Sequence, residues 1–180
     1  MEGRGKMIEF SELIIGSVED YDKLYDYVGK EAIDDYVVET LKRFVGTSCN
    51  KIVVEYPYHD KDFLSTYYCY YSQKFRSFPK KCYRLHIMGK DEVYYGYIVL
   101  RPTVKGTRLG TTYLSPKPLI NEEAYLMLAK YEAHIMDNKC EIKCFPWMKQ
   151  EVDISVCAHV AAWTILRYYG NKYHNYADME

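Results

Sequence analysis

Residues 145 to 170, FPWMKQEVDISVCAHVAAWTILRYYG, place Cys157 seven positions after Gln150 and at the head of an almost wholly apolar run. A thiol becomes a strong nucleophile once it is a thiolate. The first turn of a helix favours that charge, because the free amides and the positive end of the dipole lie there. Ser155 is the expected N-cap, its hydroxyl accepting from a first-turn amide, with Glu151 to Asp153 as an acidic loop before it. From Val156 to Tyr169 the only strongly polar side chains are His159, Thr164 and Arg167. This pattern predicts a helix buried on nearly all sides, central to its domain and closed by Gly170 in a left-handed cap.

The stretch resembles the start of the papain-like cysteine peptidase superfamily, in the bacterial branch related to bacteriocin-leader peptidases. There an aromatic-rich FP…Q segment precedes a DxxxCA…A…W helix. The matching residues are Phe145, Pro146, Gln150, Asp153, Cys157, Ala158, Ala161, Ala162 and Trp163. The resemblance covers at most a third of the chain. It implies that Cys157 is the catalytic nucleophile and Gln150 an oxyanion donor. Two features depart from the family: the Gln-to-Cys spacing is one residue longer than usual, and the family's histidine, which lies well downstream on a strand, has no counterpart in the 23 residues after Cys157.

Each residue also has a plainer reading. A cysteine on an apolar helix can be a small buried hydrophobe. His159 lies two positions from Cys157, about 200° around a helix, and cannot bond its thiol. It reads as a polar residue under a neighbouring element. His174 reads as a surface residue of a Tyr- and Asn-rich tail. If a base is hidden in the preceding portion, His86 or His134 fits best, each on an expected strand.

Composition narrows the classes. The chain has 180 residues, 48% of them hydrophobic and 27% charged, enough for a full core. No run reaches the ~18 apolar residues of a membrane span, and the polar opening MEGRGKMIEF is no secretory signal. With a formal net charge of −1 and dispersed lysines, no nucleic-acid or anionic-lipid partner is expected. The 21 tyrosines read as amphipathic core-edge residues.

The six cysteines, 49, 69, 82, 140, 144 and 157, lack the tight spacing of a disulfide scaffold, which suggests a reducing, cytoplasmic setting. Cys140, Cys144, Cys157 and His159 have a ligand-like spread. However, Tyr131, Ala133 and Ile135 alternate with polar residues, Asp137-Asn138 turns the chain, and Cys140, Ile142 and Cys144 alternate again. On such a hairpin Cys140 and Cys144 share a face about 13 Å apart, too far for one ion. No metal and no organic cofactor is expected.

The remainder reads as α plus β. Helices are expected over residues 20–28 and 31–45, the second with Ile33, Tyr36, Val37, Leu41, Phe44 and Val45 on its inner face. Asp60 should cap a third, running to about Phe75 with a stripe of Leu64, Tyr67, Tyr68, Tyr71 and Phe75. Strands are expected over 51–56, broken by Pro57, then with Tyr83, Leu85 and Ile87 alternating as a half-buried strand, then over 93–100 and 111–114, with turns at Gly106 and Gly110. Arg101 could meet an anion, and a structural ion pair is the simpler reading. Pro116 and Pro118 mark a junction.

The expected architecture is therefore α+β, a mixed N-terminal portion over 1–120 and then, over 121–180, a β-hairpin and the nucleophile helix of an incomplete papain-like domain. The implied chemistry is thiol acyl transfer on a peptide or isopeptide bond, completed by a histidine from a missing C-terminal half or a partner chain. A non-catalytic interaction module that keeps the helix, or a transglutaminase-type transamidating enzyme, would carry the same half-site.

Overall fold

The computed structural model describes residues 8–102, 108–119, 125–149 and 157–172. They form a mixed α and β structure around a six-stranded sheet. In chain order the elements are β1 (Glu9–Ile14), α1 (Leu24–Val28), α2 (Asp35–Phe44), β2 (Cys49–Tyr58), α3 (Lys61–Cys69), β3 (Cys82–Gly89), β4 (Tyr94–Leu100), β5 (Leu109–Leu114), β6 (Ala129–Ile135), β7 (Asn138–Cys144), β8 (Trp147–Met148) and α4 (Cys157–Lys172). The sheet runs β1-β2-β3-β4-β5-β8 with every neighbouring pair antiparallel, and β6 and β7 form a separate hairpin.

Period-2 alternation sorts the side chains onto two faces. On one, Val54, Leu85 and Ile98 lie side by side across β2, β3 and β4. With Ile52, Ile87 and Leu100 they pack against Leu24 and Val28 of α1 and Val37, Val38 and Leu41 of α2. On the other face Glu55 sits opposite Arg84, and His86 lies in a row with Tyr97 and Tyr113. Phe63 and Tyr71 from α3 and its continuation cover one end of that face, and Ala133, Ile142 and Cys144 of the hairpin cover the other. β3 is thus buried on both faces rather than half-buried, and His86 is fully enclosed. Gly96, at φ +131°, sits where a Cβ would run into the carbonyl oxygen of Tyr113, so the close approach of β4 and β5 requires glycine there.

Several expectations are corrected. The second helix begins only after Asp34, whose carboxylate accepts from the Val37 amide at 3.0 Å, and Tyr36 and Phe44 face solvent. The strand β2 runs through Pro57 to Tyr58, because an irregularity between Glu55 and Tyr58 absorbs the missing N–H. Asp60 precedes α3 but makes no cap bond, since its carboxylate is taken by Arg101. Within α3 the residue committed to the core is Phe63, while Tyr68 and the more distant Phe75 are exposed. The hairpin turns at Met136-Asp137, one residue before the expected Asp137-Asn138, because Asn138 pairs with Ile135. Gly106 lies outside the described residues.

The largest difference concerns α4. It is described over Cys157–Lys172, a helix where the composition predicts one, but it passes through the expected stop at Gly170. It is not a central buried element. Tyr168 is buried, whereas Ala158, Ala161, Ala162, Ile165, Leu166 and Tyr169 are exposed. The hairpin has taken the place on the sheet that an enclosed helix would occupy, leaving α4 against the hairpin's flank.

Candidate functional site

Cys157 is the first described residue of α4. Gln150, Ser155 and the acidic loop between them lie outside the described residues, as does His174. The helix is held on the hairpin side by the Tyr131 hydroxyl, which donates to the Arg167 carbonyl at 3.0 Å, and by the Asn171 amide, which donates to the Lys130 carbonyl. Aromatic contacts complete the seat: Trp163 lies 6.3 Å from Tyr113 and Tyr168 5.4 Å from Phe145. Arg167 adds an ion pair to Asp62 of α3 at 3.5 Å. Phe145 and Trp163, both in the resembling motif, therefore anchor the helix. The first turn contains no acidic residue to oppose the dipole's positive end.

The histidines do not converge on this terminus among the described residues. His159 is exposed on α4 itself, and His59 and His134 are exposed elsewhere. His86 is sealed and engaged at both ring nitrogens, Nδ1 with the Tyr94 hydroxyl at 2.8 Å and Nε2 with Glu55 Oε2 at 3.2 Å. A carboxylate can only accept, so Nε2 carries the proton and Nδ1 accepts from Tyr94. His86 is corrected here from a candidate base to a structural residue.

The polar cluster around His86 was not foreseen. Arg84 Nε donates to Glu55 Oε2 at 2.5 Å, its Nη2 donates to the His134 carbonyl of β6 at 2.8 Å, and its guanidinium lies 4.3 Å from the Tyr58 ring and 5.3 Å from that of Tyr97. Burial holds His86 below its ordinary pKa against the opposing pull of Glu55, and burial raises Tyr94 and Tyr97 well above theirs. The cluster locks the hairpin to the sheet and leaves no room for a substrate. Its signal was available: Arg84 and His86 share a phase on a strand whose opposite phase is aliphatic. Arg101 makes the expected structural ion pair, two hydrogen bonds to Asp60 Oδ2 at 3.0 and 2.8 Å and one to the Thr111 hydroxyl at 2.8 Å.

The other thiols differ among themselves in setting. Burial raises Cys49 and Cys140, and pushes Cys144 up to about 12, so these thiols stay protonated near neutrality. Cys69 is exposed at the far, C-terminal end of α3. Among the described residues no three His, Cys, Asp or Glu side chains gather to hold a metal, and no helix is long and apolar enough to cross a membrane. Comparison with family models, with curated proteins and with solved structures finds no match to this chain.

Proposed function

We propose that this chain carries the nucleophile half of a papain-like acyl-transfer site, with Cys157 attacking a peptide or isopeptide carbonyl. The observation that supports this reading is that Cys157 is the first described residue of a 16-residue helix, α4, with no acidic residue in the turn that follows it. The thiolate adds to the carbonyl carbon, and the resulting oxyanion is held by the Cys157 amide and the Gln150 side chain. Expelling the amine needs a proton donor. In this reading a histidine arrives on a further segment or a partner chain that covers the apolar outer side of α4. The same exposed side, with Ile165 53% and Leu166 45% accessible, also supports a second reading, a non-catalytic module that binds a protein partner there.

Limited iodoacetamide labelling at mildly acidic pH separates the two readings. The catalytic reading expects Cys157 to be modified well ahead of Cys69, the exposed internal control, with Cys49 and Cys144 protected until unfolding. Labelling of Cys157 no faster than Cys69 would rule out an activated thiol and leave the binding module.

A further inference from the structure

At one end of the sheet, beyond the aliphatic core under α1 and α2, lies a half-open cavity of about 520 Å³. That volume falls within the ordinary range for small-ligand sites, roughly 300–1,000 Å³. Two tyrosines from adjacent strands form one wall: Tyr56 and Tyr83 stack with centroids 4.2 Å apart and planes 24° from parallel. Opposite runs the segment after α3, which brings Arg76 and Lys81 to the rim. Phe78 holds this segment in place, its ring 5.0 Å from buried Tyr71. Arg108 joins from the start of β5, its backbone amide fixed on Asp34 Oδ2 at 2.9 Å. Glu31 is the one carboxylate in the lining.

Two cations of the lining stand apart from any carboxylate. Neither Arg76 nor Lys81 is paired with a carboxylate among the described residues; Arg76 lies over the Phe78 ring at 5.7 Å. The setting is broader than these two side chains. Residues 63–121 hold ten of the chain's 24 lysines and arginines but only two of its 25 acids, Asp91 and Glu92. The near-neutral total therefore conceals a strongly basic middle third between acidic flanks, which corrects the reading of evenly dispersed lysines. A basic rim on a concave site concentrates anions. Stacked aromatics beside it suit a planar ring, whose face can extend the stack. Glu31 is placed to accept from hydroxyl or amino donors.

We propose that this cavity binds a nucleoside phosphate, the phosphates held by Arg76 and Lys81 and the base continuing the Tyr56–Tyr83 stack. The ligand could be a free nucleotide or one unit of a single strand. The limited volume, about 520 Å³, favours the free nucleotide. The site is separate from Cys157 and stands whether or not that thiol is catalytic.

Isothermal titration calorimetry on the 180-residue chain tests it with ATP, inorganic tripolyphosphate and a thymidine oligonucleotide of about a dozen units as probes. ATP should bind one to one, and tripolyphosphate about tenfold or more weaker, because it cannot stack. The double variant Arg76→Glu, Lys81→Glu alters one exposed and one half-buried side chain and should weaken ATP at least about tenfold with an unchanged circular dichroism spectrum. Tyr83→Leu should weaken ATP but leave tripolyphosphate unmoved, which guards against a folding artefact. The proposal is overturned if ATP fails to saturate the folded protein by about 10 mM, if the charge reversal leaves ATP affinity unchanged, or if tripolyphosphate matches ATP. It is equally overturned if the oligonucleotide binds more tightly than ATP and does so undiminished in Tyr83→Leu, which would place recognition on an extended basic surface.

Discussion

The two faces of the six-stranded sheet are built by different chemistry. Under α1 and α2 the contacts are aliphatic, from Ile52, Val54, Leu85, Ile87, Ile98 and Leu100. Under α3 and the hairpin they are aromatic and polar, with Glu55, Arg84 and His86 embedded among Tyr58, Tyr94, Tyr97 and Tyr113. Apolar burial is strong but tolerant of direction, so the first face supplies most of the stability. Hydrogen bonds are weaker in net terms but costly to misalign. The second face therefore dictates where the hairpin, and through it α4, is seated.

The largest break in this contrast should come from Leu85→Ala. Leu85 is fully buried between Val54 and Ile98, and its truncation should cost roughly 2–5 kcal/mol in urea unfolding. A loss below about 1 kcal/mol would show that the aliphatic face is not the main source of stability. On the other face, Tyr94→Phe deletes the hydroxyl 2.8 Å from His86 Nδ1 and leaves a buried acceptor unpaired, for roughly 1–3 kcal/mol. No change on that substitution would mean that water reaches the cluster.

Acidification should produce a smaller effect confined to the polar face. Burial lowers the pKa of His86 in the folded chain, so the unfolded chain takes up the proton first. Stability held above the ordinary histidine value, about 6.5, is then lost as pH falls through it. Unfolding curves between about pH 7.5 and 5.5 should show the decline, and His86→Leu should flatten it. At the alkaline end the sign is mirrored. Tyr94 and Tyr97 are raised by burial, so stability falls as pH climbs past the ordinary tyrosine value of about 10. The smallest effect belongs to Glu132→Gln, which breaks an exposed pair with Lys139 at 2.6 Å on the hairpin's outer side. It should alter stability by less than about 1 kcal/mol, and a larger loss would make the hairpin's surface more than a solvated one.

Local pattern carried much of this architecture. Alternation locates β3 and the β6–β7 hairpin, a more continuous apolar run locates β4, and the apolar run after Ser155 locates the body of α4. What it could not supply were partners distant in sequence. Asp60 reads as a helix cap until its carboxylate meets Arg101, 41 residues away. Pro57 reads as a strand end because the irregularity that accommodates it depends on β3. The burial of α4 was misjudged for a related reason: a helix apolar on all sides shows that it will be covered, and its sequence does not say by what. At the candidate site, Cys157 lies on α4, while Gln150 and the residues up to Val156 lie beyond the described ones. The charge segregation around the cavity was legible in the residue order and lost only by summing over the whole chain.

The way α4 is fastened has a consequence for when it is present at all. Among the described residues the helix commits one fully buried side chain, Tyr168, and its other ties include two side-chain bonds to backbone carbonyls, the exposed ion pair of Arg167 with Asp62 and a few ring contacts. The central strands are enclosed on both sides. Such a helix forms its own cooperative unit, opening at a free energy well below that of the sheet, and its amides should exchange with solvent long before those of β3. Anything that docks on its outer side would then raise its protection without touching the sheet. Occupancy of that surface would set how long Cys157 stays at the head of a formed helix.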